Sequence, residues 1–292
     1  MSGIRSDAKS TMGPATGMQG AALRAVIDAG REGPKDVLTS VSRALDVLEA
    51  VAASPLPMPA KAVAQRLEIS LGTSYHVLHT LEHAGYVVRV GHGCYGLGSK
   101  VARLHRLFYE QFDLVPAVRP MLVELAEQTC EDCYVAVFRG GEMIIVDIAE
   151  GPDEALHLPG VDVGFSRVAH TTALGKVLLA AAPEPVLVDY LSARRLEPYT
   201  RRTLVERRHL KRNLSAVREL GIGKDLEELS DGCCCVAVPI IGPHGDALAS
   251  IGLSCGSERW RVAQEELTLL VQDAGERAST AIGGQAVSIR QV

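Results

Sequence analysis

Cysteine is the residue type whose spacing in this chain most directly suggests chemistry. Cys130 and Cys133 are separated by two residues, a spacing typical of zinc thiolate ligands, and Cys233–Cys235 are adjacent. Side chains along a strand alternate between its two faces, so only two of that triplet can share a site. Cys130 and Cys133 are expected at a helix-to-strand junction, where small apolar residues also occur. A zinc or thiol sensor is therefore one open interpretation, and cysteines that only fill space are the other.

The number of cysteines also bears on the compartment. Seven cysteines, three of them adjacent, make a poor disulfide framework and fit a reducing environment. No secretory signal is visible at the N-terminus, and no apolar run approaches the ~18 residues that cross a bilayer. We therefore expect a cytoplasmic location without membrane contact.

A nucleophilic site can be drawn with Cys235 as nucleophile, His170 as base and Asp225 as orienting acid. No nucleophile motif surrounds these residues, and their spacing is not diagnostic of catalysis. We therefore expect the chain not to be an enzyme, with no catalytic residue, no cofactor and no metal.

The segment 71–84 predicts a helix with one apolar and one polar face. Val77, Leu78 and Leu81 recur at helical spacing, and Gly85 follows as a stop signal. The other face carries polar side chains that can reach base edges and phosphates: Thr73, Ser74, Tyr75, His76, His79 and Thr80. This pattern favours DNA binding, whereas the alternative is an ordinary helical subdomain with a solvated polar face.

The elements around this helix have the order of a winged helix-turn-helix. Apolar periodicity predicts earlier helices over 41–51 and 59–67, and two short strands follow around the glycine turn at 91–93. In such a domain the second helix of the motif enters the major groove while the preceding helix contacts the backbone. We assign residues 37–98 to this domain and residues 1–36 to a flexible N-terminal arm.

The remainder of the chain predicts a linker helix over 99–113 and a second domain over 114–287. The predicted strands of that domain are 134–138, 143–148, 234–241 and 248–254, and its predicted helices are 114–129, 172–182, 205–220 and 262–283. Strands separated by helices, with antiparallel character late in the chain, indicate an α+β fold class and a sensor-like second domain.

Charge divides unevenly between the two predicted domains. The net charge of -5 argues against a surface that coats nucleic acid or anionic membrane. Residues 37–112 carry a net charge of +2, however, and residues 113–292 carry -8. Phosphate contacts usually need more than +2, so useful DNA affinity is expected to require two or more domains paired across half-sites.

Several motifs in one order resemble the IclR family of bacterial transcription regulators. They are Val41–Ala50, Thr80–Val87, Tyr95–Gly98, His170–Ala180, Tyr199–Thr200, Gly221–Glu228, Cys235–Pro239 and Ile251–Ser254. The resemblance covers about residues 37–285 and implies a GAF-like effector-binding domain. It also implies a homodimer or dimer of dimers that binds double-stranded operator DNA under the control of a small-molecule effector. We expect the protein to repress transcription.

The resemblance places DNA contacts on the recognition helix and the wing. Where the family commonly opens this helix with Lys-Ser-Thr and carries an Arg further along, this chain has Leu71-Gly72-Thr73 and His76. The usual bidentate guanine contact is therefore missing, and the operator preference should differ. The expected DNA-binding residues are Ser70, Leu71, Gly72, Thr73, Tyr75, His76, His79, Arg89 and His92.

The resemblance also implies an effector pocket between the start of one helix and two late strands. The implied pocket residues are Ala173, Leu174, Asp225, Cys235, Gly252 and Ser254. Amides at the helix start favour a carboxylate, whereas Asp225 would repel an anion unless protonated or bonded to a ligand hydroxyl. Leu174 replaces a small residue, and Gly252 replaces a hydroxyl side chain of members that bind very small oxo-acids. We therefore expect an organic acid larger or less polar than glyoxylate or pyruvate.

Overall fold

The computed structural model describes residues 38–91, 93–109, 114–152, 155–158, 160–166, 169–193 and 195–283. The chain divides into two compact units, one within 31–113 and the other from Leu114 onward. The N-terminal arm expected over 1–36 lies outside the described residues, as do 110–113 at the end of the expected linker helix. No helix within the described ranges is long and apolar enough to cross a bilayer.

The first unit is a winged helix-turn-helix. Its elements are α1 (Thr39–Ala52), β1 (Met58–Pro59), α2 (Ala60–Arg66), α3 (Leu71–His83), β2 (Val87–Val90), β3 (Cys94–Leu97) and α4 (Ser99–Tyr109). The strands form an antiparallel sheet in the order β1-β3-β2. Strand β1 was not predicted, because two residues carry no alternation pattern; it exists only through the pairing of Met58 with Tyr95 and of Pro59 with Cys94.

The core of the first unit joins α1, α2 and α3 to the wing strands. Its buried side chains are Val47, Val51, Ala60, Val63, Leu78, Leu81, Val87 and Tyr95. Ser74 on α3 also points into this core, because its Oγ donates a hydrogen bond of 2.9 Å to the carbonyl of Ala60 and the residue is fully buried. The expectation that Ser74 faces DNA is therefore wrong, and its hydroxyl instead ties α3 to the start of α2.

The second unit is built on a five-stranded antiparallel sheet in the order β5-β4-β8-β7-β6. Its elements are α5 (Leu114–Thr129), β4 (Asp132–Arg139), β5 (Glu142–Ala149), α6 (Ala173–Ala181), α7 (Glu184–Ala193), α8 (Arg207–Leu220), β6 (Gly223–Leu226), β7 (Cys233–Ile241), β8 (Ala247–Gly256) and α9 (Ser257–Ala281). Helix α7 and the edge strand β6 were not predicted, and α9 begins five residues before the predicted start at 262.

Helices cover both faces of this sheet. Ser250 on β8 faces α6, since its Oγ donates a hydrogen bond of 3.2 Å to the carbonyl of Leu174. The next residue, Ile251, faces α9, where a Cβ placed on Gly275 would lie 3.6 Å from its Cγ2 atom. Successive side chains of β8 therefore pack on opposite faces of the sheet, one against α6 and the next against α9. Helix α6 is itself buried between the sheet and α8.

Candidate functional site

The start of the recognition helix α3 is fixed by a side-chain cap. The Oγ of Ser70 accepts a hydrogen bond of 3.0 Å from the Thr73 amide and lies 2.8 Å from the Thr73 Oγ1. A serine in this position satisfies one of the amides that have no acceptor within the helix. Ser70 thus sets the direction of the helix, and both hydroxyls lie at its exposed N-terminal end.

One face of α3 is exposed and carries most of the predicted DNA contacts. Its exposed members are Leu71, Gly72, Tyr75, His76, His79 and Thr80, while Thr73 is half-buried. Tyr75 is 49% exposed although it is a large aromatic residue. The Thr80 hydroxyl donates a hydrogen bond of 2.9 Å to the carbonyl of His76, so it is used within the helix. The face therefore offers an aromatic ring and two imidazoles at its centre.

The wing holds a second predicted contact in a defined orientation. The exposed guanidinium of Arg89 on β2 donates a hydrogen bond of 3.1 Å to the Tyr95 hydroxyl and lies 5.5 Å from the centre of that ring. Tyr95 is buried in the core, so it anchors the cation to the wing sheet. His92, the other predicted wing contact, lies outside the described residues.

The second unit contains a small cavity at the N-terminus of α6. It encloses about 30 Å³, which is room for about one water molecule. Its lining residues are Tyr134, Met143, Ile145, Leu158, Val161, Phe165, Thr172, Ala173, Leu174, Leu229, Cys235, Val236, Leu253 and Ser254. Four predicted pocket residues, Ala173, Leu174, Cys235 and Ser254, are in this lining, whereas Asp225 and Gly252 are not.

Several residues in the cavity wall carry polar groups. The Thr172 hydroxyl caps α6 by accepting a hydrogen bond of 3.0 Å from the Gly175 amide. The amides of Ala173 and Leu174 lie in the first turn, where a helix offers them no acceptor. The Tyr134 hydroxyl lies 3.2 Å from the Ser254 Oγ. Tyr134 was missed by the sequence reasoning, although alternation along the predicted strand would have placed it with Ala136 on one face.

Gly252 has a packing role that corrects the expectation placed on it. A Cβ at this position would lie 2.3 Å from the Val236 carbonyl oxygen and 2.7 Å from the Ala237 Cβ. These separations are too short for any side chain, so glycine is required where β8 passes β7. The missing side chain therefore lets two strands approach and does not open space for a ligand.

Asp225 belongs to a buried charged cluster with Lys176 and Glu228. Its Oδ1 accepts a hydrogen bond of 2.6 Å from the Glu228 amide. The fully buried Lys176 on α6 pairs with the Glu228 carboxylate and donates a hydrogen bond of 3.1 Å to the Lys224 carbonyl. Burial raises the pKa of Asp225 to about 7. Lys176 was not predicted, because a lysine in a helix normally indicates an exposed position.

The cysteines do not form a zinc site in the described part of the chain. Cys130 is exposed and its Sγ lies 3.8 Å from the Glu127 carbonyl, whereas the buried Cys133 Sγ lies 3.5 Å from the Glu131 carbonyl. No group of three or more cysteine, histidine or acidic side chains within the described ranges could hold a metal ion. Cys233 and Cys235 share a face of β7, with their Sγ atoms 3.8 Å apart.

The arrangement does not assemble a Cys-His pair. The Nδ1 of His170 lies 3.1 Å from the Tyr190 hydroxyl, and the Nε2 lies 3.2 Å from the Glu197 carbonyl. Both ring nitrogens are therefore engaged with groups other than Cys235. The hydrogen bond to Cys233, together with burial, raises the pKa of the Cys235 thiol well above its usual value, so it is held as the neutral thiol and not as the thiolate nucleophile.

A winged helix-turn-helix with an exposed recognition helix, followed by an antiparallel sheet domain with a small cavity at the N-terminus of a capped helix, is the arrangement of DNA-binding regulators with a sensor domain. Family comparison agrees: residues 40–91 match the IclR helix-turn-helix domain, and residues 107–280 match the bacterial transcriptional regulator IclR C-terminal domain. The second match covers more than half of the chain. The protein belongs to the IclR family of bacterial transcriptional regulators.

Known relatives span nearly the whole described chain. The transcriptional repressor IclR of Escherichia coli is 28% identical over 253 residues, which cover 84% of this chain and 90% of that protein. The crystal structure of the Thermotoga maritima IclR is similar with a TM-score of 0.71 and 27% identity, covering 84% of this chain and 98% of that one. An IclR homologue from Microbacterium hydrocarbonoxydans, crystallised with 4-hydroxybenzoate, shares the fold with a TM-score of 0.68 at 19% identity, covering 84% of this chain and 99% of that one.

Proposed function

We propose that this IclR-family regulator is a repressor that binds a specific operator through α3 and releases it when an organic acid binds in the α6 cavity. The exposed face of α3, with Tyr75, His76 and His79 at its centre, is the observation that carries the DNA-binding part. The position of the cavity at the capped N-terminus of α6 supports the ligand part.

The proposed base contacts come from Thr73, Tyr75 and His76, with Leu71 against a thymine methyl group. Ser70, Gly72 and His79 flank them near the phosphates, since they lie at the exposed N-terminal end or the edge of the same face. Arg89 and His92 would contact the backbone or minor groove from the wing. Without an arginine on α3, specificity would depend on weaker imidazole and hydroxyl contacts at each half-site.

Pairing of two chains is part of this proposal. A net charge of +2 over residues 37–112 gives each helix-turn-helix domain few phosphate contacts. Helix α1 and the residue before it expose Leu38, Val41 and Leu45, each more than half exposed, at positions three and four residues apart. Such an apolar stripe fits a second copy of the chain. We therefore propose a homodimer, or a dimer of dimers, that spans two half-sites.

The proposed ligand is an organic acid with an apolar, aromatic-sized body. Its carboxylate would accept from the Ala173 and Leu174 amides, near the hydroxyls of Tyr134 and Ser254. The rest of the wall is mostly aliphatic or aromatic. A volume of about 30 Å³ is too small for such a ligand, so the cavity would have to widen on binding. The 4-hydroxybenzoate bound by the Microbacterium homologue is an acid of this class.

The proposed DNA binding is tested by measuring how the full chain binds to the DNA upstream of its own gene. Fluorescence anisotropy over a salt series should show saturable binding that weakens as salt rises. Substituting Tyr75→Ala and His76→Ala together should weaken specific binding by roughly 100-fold, because each base contact contributes about 1–3 kcal/mol. His244→Ala, an exposed histidine of the second unit, is the matched control. Unchanged affinity in the double variant would refute the assignment of α3.

Calorimetry tests the second part. Titration with 4-hydroxybenzoate or benzoate should give binding that Ser254→Ala weakens, and the liganded protein should lose affinity for the same DNA. Tight binding of glyoxylate with no binding of bulkier acids would contradict the proposed ligand class. In a reporter assay the chain should lower transcription, and an increase would assign it as an activator.

A further inference from the structure

The positive charge of the second unit is concentrated in one short segment. Residues 194–218 contain nine lysines and arginines and two glutamates, a net charge of +7, although residues 113–292 together carry -8. Helix α8 forms the second half of this segment. The acidic unit therefore has one strongly basic region, which carries more positive charge than the +2 of residues 37–112.

Helix α8 presents its cations on one side. Its apolar residues Leu210, Leu214 and Val217 are buried in the same core as α6. The cations at positions 207, 208, 211 and 212 follow the repeat i, i+1, i+4 and i+5, which at about 100° per residue places them within about 140° of the helix circumference. These four exposed side chains form the basic face of α8: Arg207, Arg208, Lys211 and Arg212.

The basic face is not neutralised by the fold. None of its four side chains makes an ion pair or a hydrogen bond within the part of the chain that the structure describes. The neighbouring Glu206 is directed elsewhere, since its Oε2 lies 3.5 Å from the Nδ1 of His209. The four charges therefore remain available to an anion outside the protein.

The basic face also opposes the stability of its own helix. Arg207 and Arg208 are the first two residues of α8, where the helix dipole disfavours cations, and the first turn contains no acidic residue. Positions 207 and 211, like 208 and 212, place equal charges four residues apart, which destabilises a helix further. Helix formation thus gives no reason for these cations, whereas a bound anion would relieve both effects.

A depression in the surface continues the positive charge beyond α8. It encloses about 340 Å³ and is lined by Arg195, Leu196, Pro198, Val205 and Arg207. The Arg195 side chain is 85% exposed, and its Nε lies 3.8 Å from the carboxylate of Glu197. Arg195 and the basic face together make a row of cations longer than the helical part alone.

An extended polyanion suits such a row. The basic face spans about 7.5 Å along the helix axis, and the phosphates of one DNA strand follow one another about every 3.4 Å along the duplex. Three of the four cations are arginines, whose planar guanidinium can donate two parallel hydrogen bonds to a phosphate. DNA is the polyanion that this family binds. Because residues 37–112 carry only +2, further phosphate contacts would supply affinity that the helix-turn-helix lacks.

We propose that the basic face of α8 binds the phosphate backbone of duplex DNA outside the base pairs that α3 contacts. This inference rests on the proposed function only for the position of the contact, because phosphate contacts carry no sequence information. The chain then has two surfaces for DNA, one that recognises sequence and one on the second unit that adds affinity.

The salt dependence of DNA binding counts these contacts. The logarithm of the affinity falls with the logarithm of the salt concentration, with a slope of about 0.9 per phosphate contact. Anisotropy titrations use the full chain with the duplex from upstream of its own gene and with a scrambled duplex of the same length. Arg208→Gln combined with Arg212→Gln should make the slope shallower by about 2 on both duplexes.

Two further variants isolate the cause of that change. Arg208→Lys combined with Arg212→Lys keeps both charges and should retain the wild-type slope. Arg261→Gln combined with Lys224→Gln removes two other exposed cations of the same unit and is the matched control. Circular dichroism checks the fold, and the glutamine substitutions on α8 should not lower the melting temperature, since they remove like-charge repulsion.

Each other outcome overturns the assignment. An unchanged slope in the α8 glutamine variant would exclude DNA as the partner and leave an acidic protein surface as the occupant. An equal change in the control would show an effect of net charge alone. Trimming the upstream duplex should abolish the difference from wild type, and a difference that persists on the shortest bound duplex would contradict a contact outside the α3 site.

Failure of the proposed operator binding gives a different result. The upstream and scrambled duplexes would then bind with equal affinity, and Tyr75→Ala combined with His76→Ala would have no effect. The loss of slope in the α8 glutamine variant would still be seen on the scrambled duplex, because phosphate contacts do not depend on sequence.

Discussion

Replacing Asp225 with asparagine should remove much of the pH dependence of stability of the second unit. Asp225 is fully buried, and burial raises its pKa to about 7, against about 3.9 in an unfolded chain. The folded state therefore holds this proton more tightly than the unfolded chain does. The contribution of Asp225 to the free energy of unfolding is fully present below about pH 4, and it is lost as the pH rises towards 7. The difference of about 3 pKa units amounts to about 4 kcal/mol in total, of which about 2–3 kcal/mol is lost between pH 5 and pH 8.

Urea unfolding followed by Trp260 fluorescence measures this effect, because the single tryptophan is buried in the second unit. With a denaturant slope of about 2 kcal/mol per M, the wild-type midpoint should fall by about 1 M more than that of Asp225→Asn between pH 5 and pH 8. The asparagine keeps the acceptor for the Glu228 amide but cannot ionise. The exposed Asp231→Asn is the control and should behave like wild type. Parallel decline of wild type and Asp225→Asn would refute the reasoning.

Three further predictions concern the cap, the buried lysine and one loop. Ser70→Ala should cost about 1 kcal/mol and lower the melting temperature of the first unit by about 5 °C in circular dichroism, because the cap of α3 is lost; no change would mean that the cap contributes nothing. Lys176→Met should destabilise the second unit by about 3–5 kcal/mol in the Trp260 assay at pH 8, since Glu228 is left buried without its cation, and a neutral result would contradict that pairing. The hydrogen bond to Asp132 raises the pKa of His157, so this contact is strongest below about pH 6.5 and is lost as the pH rises through the raised value. Hydrogen-exchange protection of residues 155–158 should therefore fall between pH 6 and pH 9 in wild type but not in His157→Gln.

The sequence predicted most helices and strands because their signals are local. Helix α3 has an apolar stripe and a serine cap, and α6 has a threonine cap before a run of small and aliphatic residues. Strands β1 and β6 have two and four residues and no comparable signal. They exist because a neighbouring strand supplies hydrogen-bond partners, and pairing between distant segments is not encoded in any short window.

The candidate sites were predicted in part for the same reason. The exposed face of α3 follows from helical periodicity, yet Ser74 turned inward because the Ala60 carbonyl lies opposite it. The family motifs placed four residues in the cavity wall, whereas Gly252 proved to be required by the approach of β7. Serine and glycine can each either contact a ligand or pack inside the fold. At Ser74 and Gly252 the choice depends on a neighbour that is distant in the sequence.

By itself, the sequence determined the order of the domains, the helix-turn-helix, the regulator family and the division of charge between the two domains. The first three follow from periodicity, caps or motifs within short segments, and the fourth follows from composition. Only the tertiary structure decided that Lys176 is buried against Glu228 and that Asp225 holds its proton to about pH 7. It also decided that the α6 cavity encloses about 30 Å³. Burial and electrostatics depend on every group that packs around an atom, and those groups come from strands and helices far apart in the chain.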